Sequence, residues 1–236
     1  MWSGPRNIST AMMRAFENRA DCTVVDEPFY AAYLADTGLE HPMRDAVLAS
    51  QPQGWRDVVT SLDGFGDTFV YEKQMAHHML PAFGLDWVAR RRNAFLIRDP
   101  AEVLASYVIK RGEVTLEDIG IVRQHELFDQ EAQRLGSPPP VVLGADVLAD
   151  PQAMLATLCA ALDIAFNPAM LSWPAGSRSS DGVWAPAWYD AVERSTGFAS
   201  PEARETPALP AELQRIADTA RPHFDALAAW KLKSGG

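Results

Sequence analysis

Cysteine and long apolar runs are scarce in this sequence, and both scarcities exclude classes of protein. Two of the 236 residues are cysteines, Cys22 and Cys159, and their spacing fits neither a zinc site nor a disulfide framework. We interpret both as buried thiols. No apolar run approaches the ~20 residues that span a bilayer, and residues 1–30 lack the basic and then apolar blocks of a signal peptide. We therefore expect a cytoplasmic protein with no membrane partner.

Basic residues are also in the minority. The chain has 21 Lys and Arg against 31 Asp and Glu, a formal net charge of −10. Broad nucleic-acid binding is driven by Lys and Arg that displace counterions from phosphates, so we expect no nucleic-acid partner. An anionic ligand would need a local basic pocket. The 47% of hydrophobic residues is typical of a packed globular protein, and the length suits one α/β domain over residues 1–236.

Short apolar runs alternate with longer helical patterns along the chain. Strands are predicted over 22–26, 68–72, 94–98 and 141–144, and helices over 9–19, 101–111, 115–135, 151–162 and 210–231. This alternation predicts a three-layer α/β fold with a parallel central sheet of about five strands. A strand before the first loop would have only about three residues, below the usual length, which suggests a truncated start. The stretch 174–210 has no sustained period and is predicted to be a long functional loop.

A turn of small residues over 3–10 leads directly into the first predicted helix. Such a turn leaves backbone N–H groups free to bind an anion at the positive end of the helix dipole. The motif is not G-x-x-x-x-G-K-[ST], because a second Gly is missing and Arg6 supplies the only cation. A helix that is merely capped after a polar turn is the alternative interpretation.

A second candidate phosphate site combines Arg98 at a predicted strand end with Ser106, eight residues later. The arginine would leave the carboxyl edge of the sheet, and the serine would lie two turns along the following helix. Arginine makes bidentate contacts to phosphate. Alternatively, Asp99 and Pro100 form a helix start and Arg98 simply pairs with Asp99.

In this order, the two motifs resemble those of sulfotransferases that use phosphoadenosine phosphosulfate (PAPS). Pro5-Arg6-Asn7-Ile8-Ser9-Thr10 matches the 5′-phosphosulfate loop of the form P-R-x-x-[ST]-T, and Arg98 with Ser106 matches the 3′-phosphate motif. The segment 177–184 is loosely similar to the family's C-terminal cofactor loop. The cofactor-binding residues that the resemblance implies are Gly4, Pro5, Arg6, Asn7, Ser9, Thr10, Arg98, Ser106 and Arg178.

The resemblance implies a P-loop NTPase-like fold and an activity. The expected reaction is the transfer of a sulfuryl group from PAPS to a hydroxyl or amine of a small-molecule acceptor, with PAP as the product. Two rival interpretations stay open. A P-loop nucleotide kinase is disfavoured by the missing Gly-Lys-[ST] and by the lack of an obvious magnesium carboxylate. A protein that binds PAP or PAPS without turnover is suggested by the short first strand and by the histidine spacing described next.

The candidate catalytic residues follow two predicted strands, whose carboxyl ends should meet at one edge of the sheet. They are Glu27, Lys73, His77 and His78. The resemblance implies either a Glu after the second strand or a His two residues beyond a Lys as the base. Here the histidines lie four and five residues beyond Lys73, so Glu27 is favoured. The histidines could instead be a helix-start pair bonded to backbone, and Asp26 is predicted to cap the helix after Pro28.

Two further sets of residues bear on the chemistry of the site. Adjacent histidines on a helix diverge by about 100° and no third ligand is placed near them, so no metal is predicted. Four aromatic residues form a late cluster that could either line a pocket or belong to the core; they are Trp173, Trp184, Trp188 and Tyr189. The sequence determines neither the acceptor nor the oligomeric state.

Overall fold

A computed structural model describes residues 1–199 and 208–234 of the chain. Within these residues five strands form one parallel sheet in the order β2-β3-β1-β4-β5. The strands are β1 Trp2–Ser3, β2 Thr23–Asp26, β3 Val70–Met75, β4 Phe95–Ile97 and β5 Val141–Leu143. The predicted parallel sheet of about five strands is confirmed, and β1 is as short as the sequence suggested.

Helices follow the strands and cover both faces of the sheet. They are α1 Ser9–Glu17, α2 Tyr30–Thr37, α3 Arg44–Ser50, α4 Trp55–Asp63, α5 Pro100–Arg111, α6 Leu116–Ile119, α7 Ile121–Leu135, α8 Gly144–Ala149, α9 Pro151–Ala161, α10 Ala185–Trp188, α11 Asp190–Glu193 and α12 Ala211–Ala228. In the described part of the chain, none of the helices is both long enough and apolar enough to span a membrane.

Alternate strand residues face opposite helical layers, as the period of two in a strand requires. Phe95 and Ile97 belong to the core shared with α5, α7 and α12, whereas Leu96 lies in the core with α1 and α9. Val141 and Val142 divide between the same two cores. Because both faces are covered, these strands are apolar throughout. The two hydrophobic cores hold the sheet between the helical layers, and they thereby fix the position of the edge at which the loops meet.

The continuous helix predicted over 115–135 is wrong, because Gly120 separates α6 from α7. Gly120 has φ 70°, a left-handed conformation that favours glycine. A Cβ added there would lie 3.2 Å from the backbone nitrogen of His77, so the glycine also permits a close approach. The start of the segment is as predicted, since Thr115 and Asp118 form a capping box.

The loop predicted over 174–210 contains the short helices α10 and α11. Each has four residues, too few for a periodic pattern to reveal. Residues 200–207 of this stretch lie outside the described residues. The two cysteines also differ from expectation in part, because Cys159 is buried but Cys22 is only half-buried.

Candidate active site

The candidate site lies where the chain leaves the carboxyl ends of four adjacent strands. The segment over residues 4–8 follows β1, Glu27 follows β2, His77 follows β3 and Arg98 follows β4. The carboxyl edge of an open parallel sheet is the usual ligand-binding edge in such folds. Parallel pairing of the strands thus brings together residues that lie far apart in sequence.

The phosphate loop, defined here as residues 4–8, has an unusual backbone. Arg6 has φ 55° and Ile8 has φ 42°, and strained conformations of this kind concentrate at functional sites. Within the described residues, the backbone N–H groups of Arg6, Asn7 and Ile8 donate to no acceptor. These free donors precede α1, whose N-terminus is electropositive. The loop therefore fits an anionic group such as phosphate.

Two contacts with neighbouring elements hold the phosphate loop in place. The Asn7 side chain is buried and donates to the backbone oxygen of Leu96, 2.6 Å away. Gly4 lies against α6, where an added Cβ would clash with the backbone oxygen of Ile119. Asn7 therefore supports the loop through its side chain, and Gly4 supports it by close approach.

Replacement of Gly4 by Ala is expected to lower the free energy of unfolding by about 1–3 kcal/mol, because the methyl group must displace a backbone carbonyl. Urea denaturation followed by circular dichroism measures this change. Gly54→Ala is the matched control, because the φ of −91° suits alanine and the added Cβ would meet only the end of the flexible Asp57 side chain. An unchanged midpoint for Gly4→Ala would contradict the close approach.

Arg6, Ser106 and Arg98 come together as a cluster beside the loop. Arg6 Nε donates to Ser106 Oγ at 2.9 Å, and Arg98 Nη1 donates to the backbone oxygen of Arg6 at 2.6 Å. Arg98 Nε also donates to Glu102 at 2.9 Å. Burial, followed by the neighbouring Arg98 charge, lowers the pKa of Arg6. Two adjacent guanidinium groups would be stabilised by an anion between them.

The alternative pairing of Arg98 with Asp99 is not what the structure contains. Asp99 caps α5 through the backbone N–H of Ala101 and pairs with Arg221 at 2.8 Å. Arg178, by contrast, is not brought to this cluster. Its guanidinium donates to the backbone oxygen of Pro174, and it lines neither of the two clefts described below.

Lys73 is the centre of a buried polar cluster. Its Nζ donates to Asp26 Oδ1 at 2.9 Å, to Glu27 Oε1 at 2.6 Å and to the Tyr189 hydroxyl at 2.6 Å. The Tyr189 hydroxyl in turn donates to Asp26 Oδ2 at 2.7 Å, which also accepts from the backbone N–H of Gly182. All three ammonium protons therefore have acceptors, as a buried lysine requires.

The predicted capping role of Asp26 is wrong. α2 begins at Tyr30, and the residue at its cap is Phe29, with no side-chain hydrogen bond. Both Asp26 carboxylate oxygens are instead used by Lys73, Tyr189 and Gly182. The physical reason is that a fully buried ammonium group must be paired, and the pairing outweighs a cap of about 1 kcal/mol.

Glu27 occupies a strained position with an altered acidity. Its φ is 40°, and its backbone N–H donates to the carbonyl oxygen of Lys73 at 3.0 Å. Burial raises the pKa of Glu27, against the opposing effect of Lys73 and with a further increase from the Asp26 charge. Burial alone would lower the pKa of Lys73, but Asp26 and Glu27 outweigh it and hold that pKa well above its usual value. Lys73 is therefore charged.

His77 and His78 lie on the short turn Ala76–His78 that follows β3. Burial lowers the pKa of His77 to about 3 and that of His78 well below its usual value, so both rings are neutral at pH 7. His78 Nδ1 is 4.0 Å from Glu27 Oε2. In the described chain the Nδ1 atom of neither histidine has a hydrogen-bond partner, so these atoms are not bonded to backbone.

Two clefts meet at the phosphate loop. The first is lined by Pro5, Arg6, Ser9, Thr10, Glu27, Tyr30, His41, Lys73, Met75, His77, His78, Tyr107, Trp188 and Tyr189. The second is lined by Arg6, Asn7, Ile8, Ser9, Thr10, Ala11, Arg98, Leu148, Trp188, Tyr189, Ala191, Val192, Ser195, Gly197, Phe198 and Ala199. Arg6, Ser9 and Thr10 thus line both clefts, and Trp188 at the end of α10 forms with Tyr189 a wall common to them.

Sequence reasoning missed several residues of the first cleft. Tyr30, His41, Met75 and Tyr107 carry no motif, and only the fold brings them to the site. The late aromatic cluster divides between its two interpretations. Trp188 and Tyr189 line both clefts, whereas Trp173 and Trp184 are buried in cores. Among the described residues no group of three or more His, Cys, Asp or Glu side chains is arranged to hold a metal ion.

A family model for a sulfotransferase domain matches residues 1–230, and the chain belongs to that family. Two curated plant proteins from Arabidopsis thaliana are similar to it, the branched-chain-amino-acid aminotransferase-like proteins 1 and 2. Protein 1 is 37% identical and protein 2 is 34% identical over 203 residues, which cover 85% of this chain and 36% of each relative. The chain therefore spans about a third of the length of these relatives.

Two solved sulfotransferase domains share the fold. One, from the curacin biosynthetic pathway, aligns with a TM-score of 0.56 at 17% identity and covers 93% of this chain and 95% of its own. The other, from the Synechococcus PCC 7002 olefin synthase, has a TM-score of 0.56 at 16% identity and covers 98% of this chain and 94% of its own. The predicted P-loop-like α/β fold is confirmed by these likenesses.

Proposed function

We propose that this protein transfers a sulfuryl group from PAPS to a hydroxyl or amine of a small-molecule acceptor and releases PAP. The observation that carries the proposal is the meeting of two clefts at one phosphate loop. One cleft contains the paired cations Arg6 and Arg98, and the other contains Glu27 and Lys73. A nucleotide site beside a buried acid–base site is what a group transfer between two molecules requires.

The donor set fits a nucleotide that carries two phosphate groups. The backbone N–H groups of the phosphate loop, with Arg6, Ser9 and Thr10, would hold the 5′-phosphosulfate. Arg98, which lines the second cleft, would hold the 3′-phosphate together with Ser106, which lines neither cleft but accepts a hydrogen bond from Arg6 at 2.9 Å. When bound, PAPS supplies an activated sulfuryl group. The neutral donors and guanidinium groups would stabilise negative charge that develops there.

Glu27 is the proposed base. It would accept the proton of the acceptor as the new bond to sulfur forms, while the bond from sulfur to the phosphate oxygen breaks and its electron pair leaves with PAP. The three protons of Lys73 are directed to Asp26, Glu27 and Tyr189. We therefore assign Lys73 a positioning role, in which it fixes the Glu27 carboxylate at the edge of the first cleft.

The name of the plant relatives does not extend to this chain in our proposal. They are called aminotransferase-like as whole proteins, and the similarity covers 36% of each. The family model that spans residues 1–230 of this chain describes a sulfotransferase domain. Turnover of PAPS with a panel of hydroxyl and amine acceptors, followed as PAP release, tests the proposed reaction directly.

Arg98→Ala is expected to weaken PAP binding by about 1.5–3 kcal/mol, the usual cost of a lost charge-assisted hydrogen bond. The parent protein should bind PAP with at least micromolar affinity, near −8 kcal/mol. Isothermal titration calorimetry measures both. Binding of adenosine 5′-phosphosulfate, which lacks the 3′-phosphate, should fall much less.

The comparison between the two nucleotides shows whether Arg98 binds the 3′-phosphate or only supports the phosphate loop. Arg98 also donates a hydrogen bond to the carbonyl oxygen of Arg6, and a distorted loop would lower the affinity for both nucleotides equally. Equal losses would therefore contradict the assignment. Arg92→Ala is the matched control, because Arg92 is 60% exposed and lines neither cleft; it should leave both affinities unchanged.

A further inference from the structure

Much of the first cleft is lined by aromatic and imidazole rings. This ring wall consists of Tyr30, His41, His77, His78, Tyr107 and Trp188. Its members are packed face to face and edge to face. Tyr30 and His78 stack with centroids 4.5 Å apart, and His77 lies edge-on to His78 at 4.3 Å. Because aromatic rings pack favourably against another ring, either offset-stacked or edge to face, this lining favours a flat ring over a flexible chain.

The ring wall carries no charge at neutral pH. Burial lowers the pKa of His77 to about 3, and burial followed by the Arg111 charge lowers that of His41 to about 4. Burial raises the pKa of Tyr30 and of Tyr107 above the usual value. Among the described residues that line the first cleft, charge is therefore confined to the phosphate loop and the Lys73 cluster.

The ring wall also has hydrogen-bonding capacity without a partner. His41 is 8% exposed, and its Nδ1 pairs with the Tyr30 hydroxyl at 2.9 Å. Its Nε2, like Nδ1 of His77 and of His78, has no partner within the described part of the chain. Buried polar atoms normally have partners, and leaving them unpaired costs free energy. A hydroxyl group can both donate and accept, so it can pair with either tautomer of a neutral imidazole.

We propose that the acceptor is an uncharged compound with a flat ring, which carries a second hydroxyl group besides the one that reacts. The ring packs against the ring wall, and the second hydroxyl hydrogen-bonds to His41 Nε2. This inference rests on the proposed function. A carboxylate or ammonium group on the acceptor would be desolvated against neutral rings and would bind poorly.

Binding to the PAP-saturated protein tests the inference without requiring turnover. Four phenols serve as calorimetric probes: 4-hydroxybenzyl alcohol, 4-methylphenol, the anion 4-hydroxybenzoate and the cation tyramine. We expect 4-hydroxybenzyl alcohol to bind about tenfold or more tightly than either charged compound. Equal or tighter binding of a charged compound would overturn the inference.

Two substitutions of His41 then test the second hydroxyl. Asparagine places its amide near Nδ1, where it can retain the Tyr30 contact, and lacks the Nε2 position. His41→Asn should therefore lower the affinity for 4-hydroxybenzyl alcohol roughly 3-fold to 10-fold and leave the affinity for 4-methylphenol unchanged. His41→Gln, whose amide lies near Nε2, should restore part of the loss. His223→Asn is the control, because His223 lies at the α7–α12 contact with His125 and lines neither cleft.

The outcomes distinguish this inference from the proposed function. If PAP does not bind, the proposed function fails, and the four phenols are still compared on the free protein. If PAP binds but His41→Asn lowers the affinity for both neutral phenols equally, His41 has only a structural role and the inference fails. Selective loss of 4-hydroxybenzyl alcohol with rescue by His41→Gln supports it.

Discussion

Glu27→Gln is expected to lower kcat by roughly 10²-fold to 10⁴-fold, the usual contribution of a general base. The substitution keeps the shape of the side chain and removes the carboxylate that would accept the proton of the acceptor. Burial raises the pKa of Glu27, and a base is most effective when its pKa approaches the working pH. PAP affinity should change little, because Glu27 lines the first cleft and not the second. Steady-state PAP release and calorimetry measure the two quantities.

The two histidines provide the comparison for this prediction. His77→Ala and His78→Ala should each lower kcat by less than Glu27→Gln does, because imidazoles with such low pKa values are weak bases at pH 7. If Glu27→Gln retains near-normal kcat while either histidine variant is inactive, the imidazole is the base and the assignment of Glu27 is wrong. Urea denaturation of all three variants shows whether a loss of activity reflects unfolding.

Lys73→Met is expected to lower the free energy of unfolding by about 3–5 kcal/mol, as when one partner of a buried ion pair is removed. Methionine fills a similar volume but leaves Asp26 and Glu27 buried without a cation. The Tyr189 hydroxyl also loses a contact of 2.6 Å. Lys231→Met is the matched control. Lys231 lies 2.6 Å from Asp146 but is 36% exposed, so its loss should cost only about 0–1 kcal/mol.

The destabilisation by Lys73→Met should depend on pH. Burial already raises the Glu27 pKa above its usual 4.5, and the substitution removes the charge that opposes this shift. Above the unfolded pKa the folded variant therefore binds more protons than the unfolded chain, so its stability falls as pH rises. The loss relative to the parent should be larger at about pH 8 than at about pH 5.5. A loss that is equal at both pH values, or no larger than that of Lys231→Met, would contradict the buried pairing.

The fold could be predicted because its signals are local. The strands β4 and β5 are buried on both faces and appear as short apolar runs, and Asp99 with Pro100 marks the start of α5. The apolar pattern predicts the third strand too early, over 68–72, whereas the strand spans Val70–Met75. It contains Lys73, and a lysine is tolerated in a central strand only because Asp26, Glu27 and Tyr189 neutralise and bond it. No local pattern reveals such partners.

The site could be predicted only in part. Arg6, Arg98 and Ser106 were expected together and lie in contact, as do Glu27 and Lys73. Their roles stay predictions. The sequence predicts a helix cap for Asp26 and a cofactor contact for Arg178, and it gives no role to His41. Asp26 pairs with Tyr189, 163 residues away, and spacing does not encode such a contact. Arg178 and His41 bond to partners 4 and 11 residues away, but no periodic pattern marks these contacts.

The sequence by itself determined the alternation of strands and helices, and with it the edge of the sheet where Glu27, His77 and Arg98 emerge. Only the tertiary structure decided which side chains pair there. Because Lys73 is buried, Asp26 pairs with it instead of capping a helix. Gly120 separates α6 from α7 and allows the chain to lie close to His77. Periodicity reports what each residue faces along its own element. Desolvation and pairing depend on neighbours from other elements, which exist only once the chain has folded.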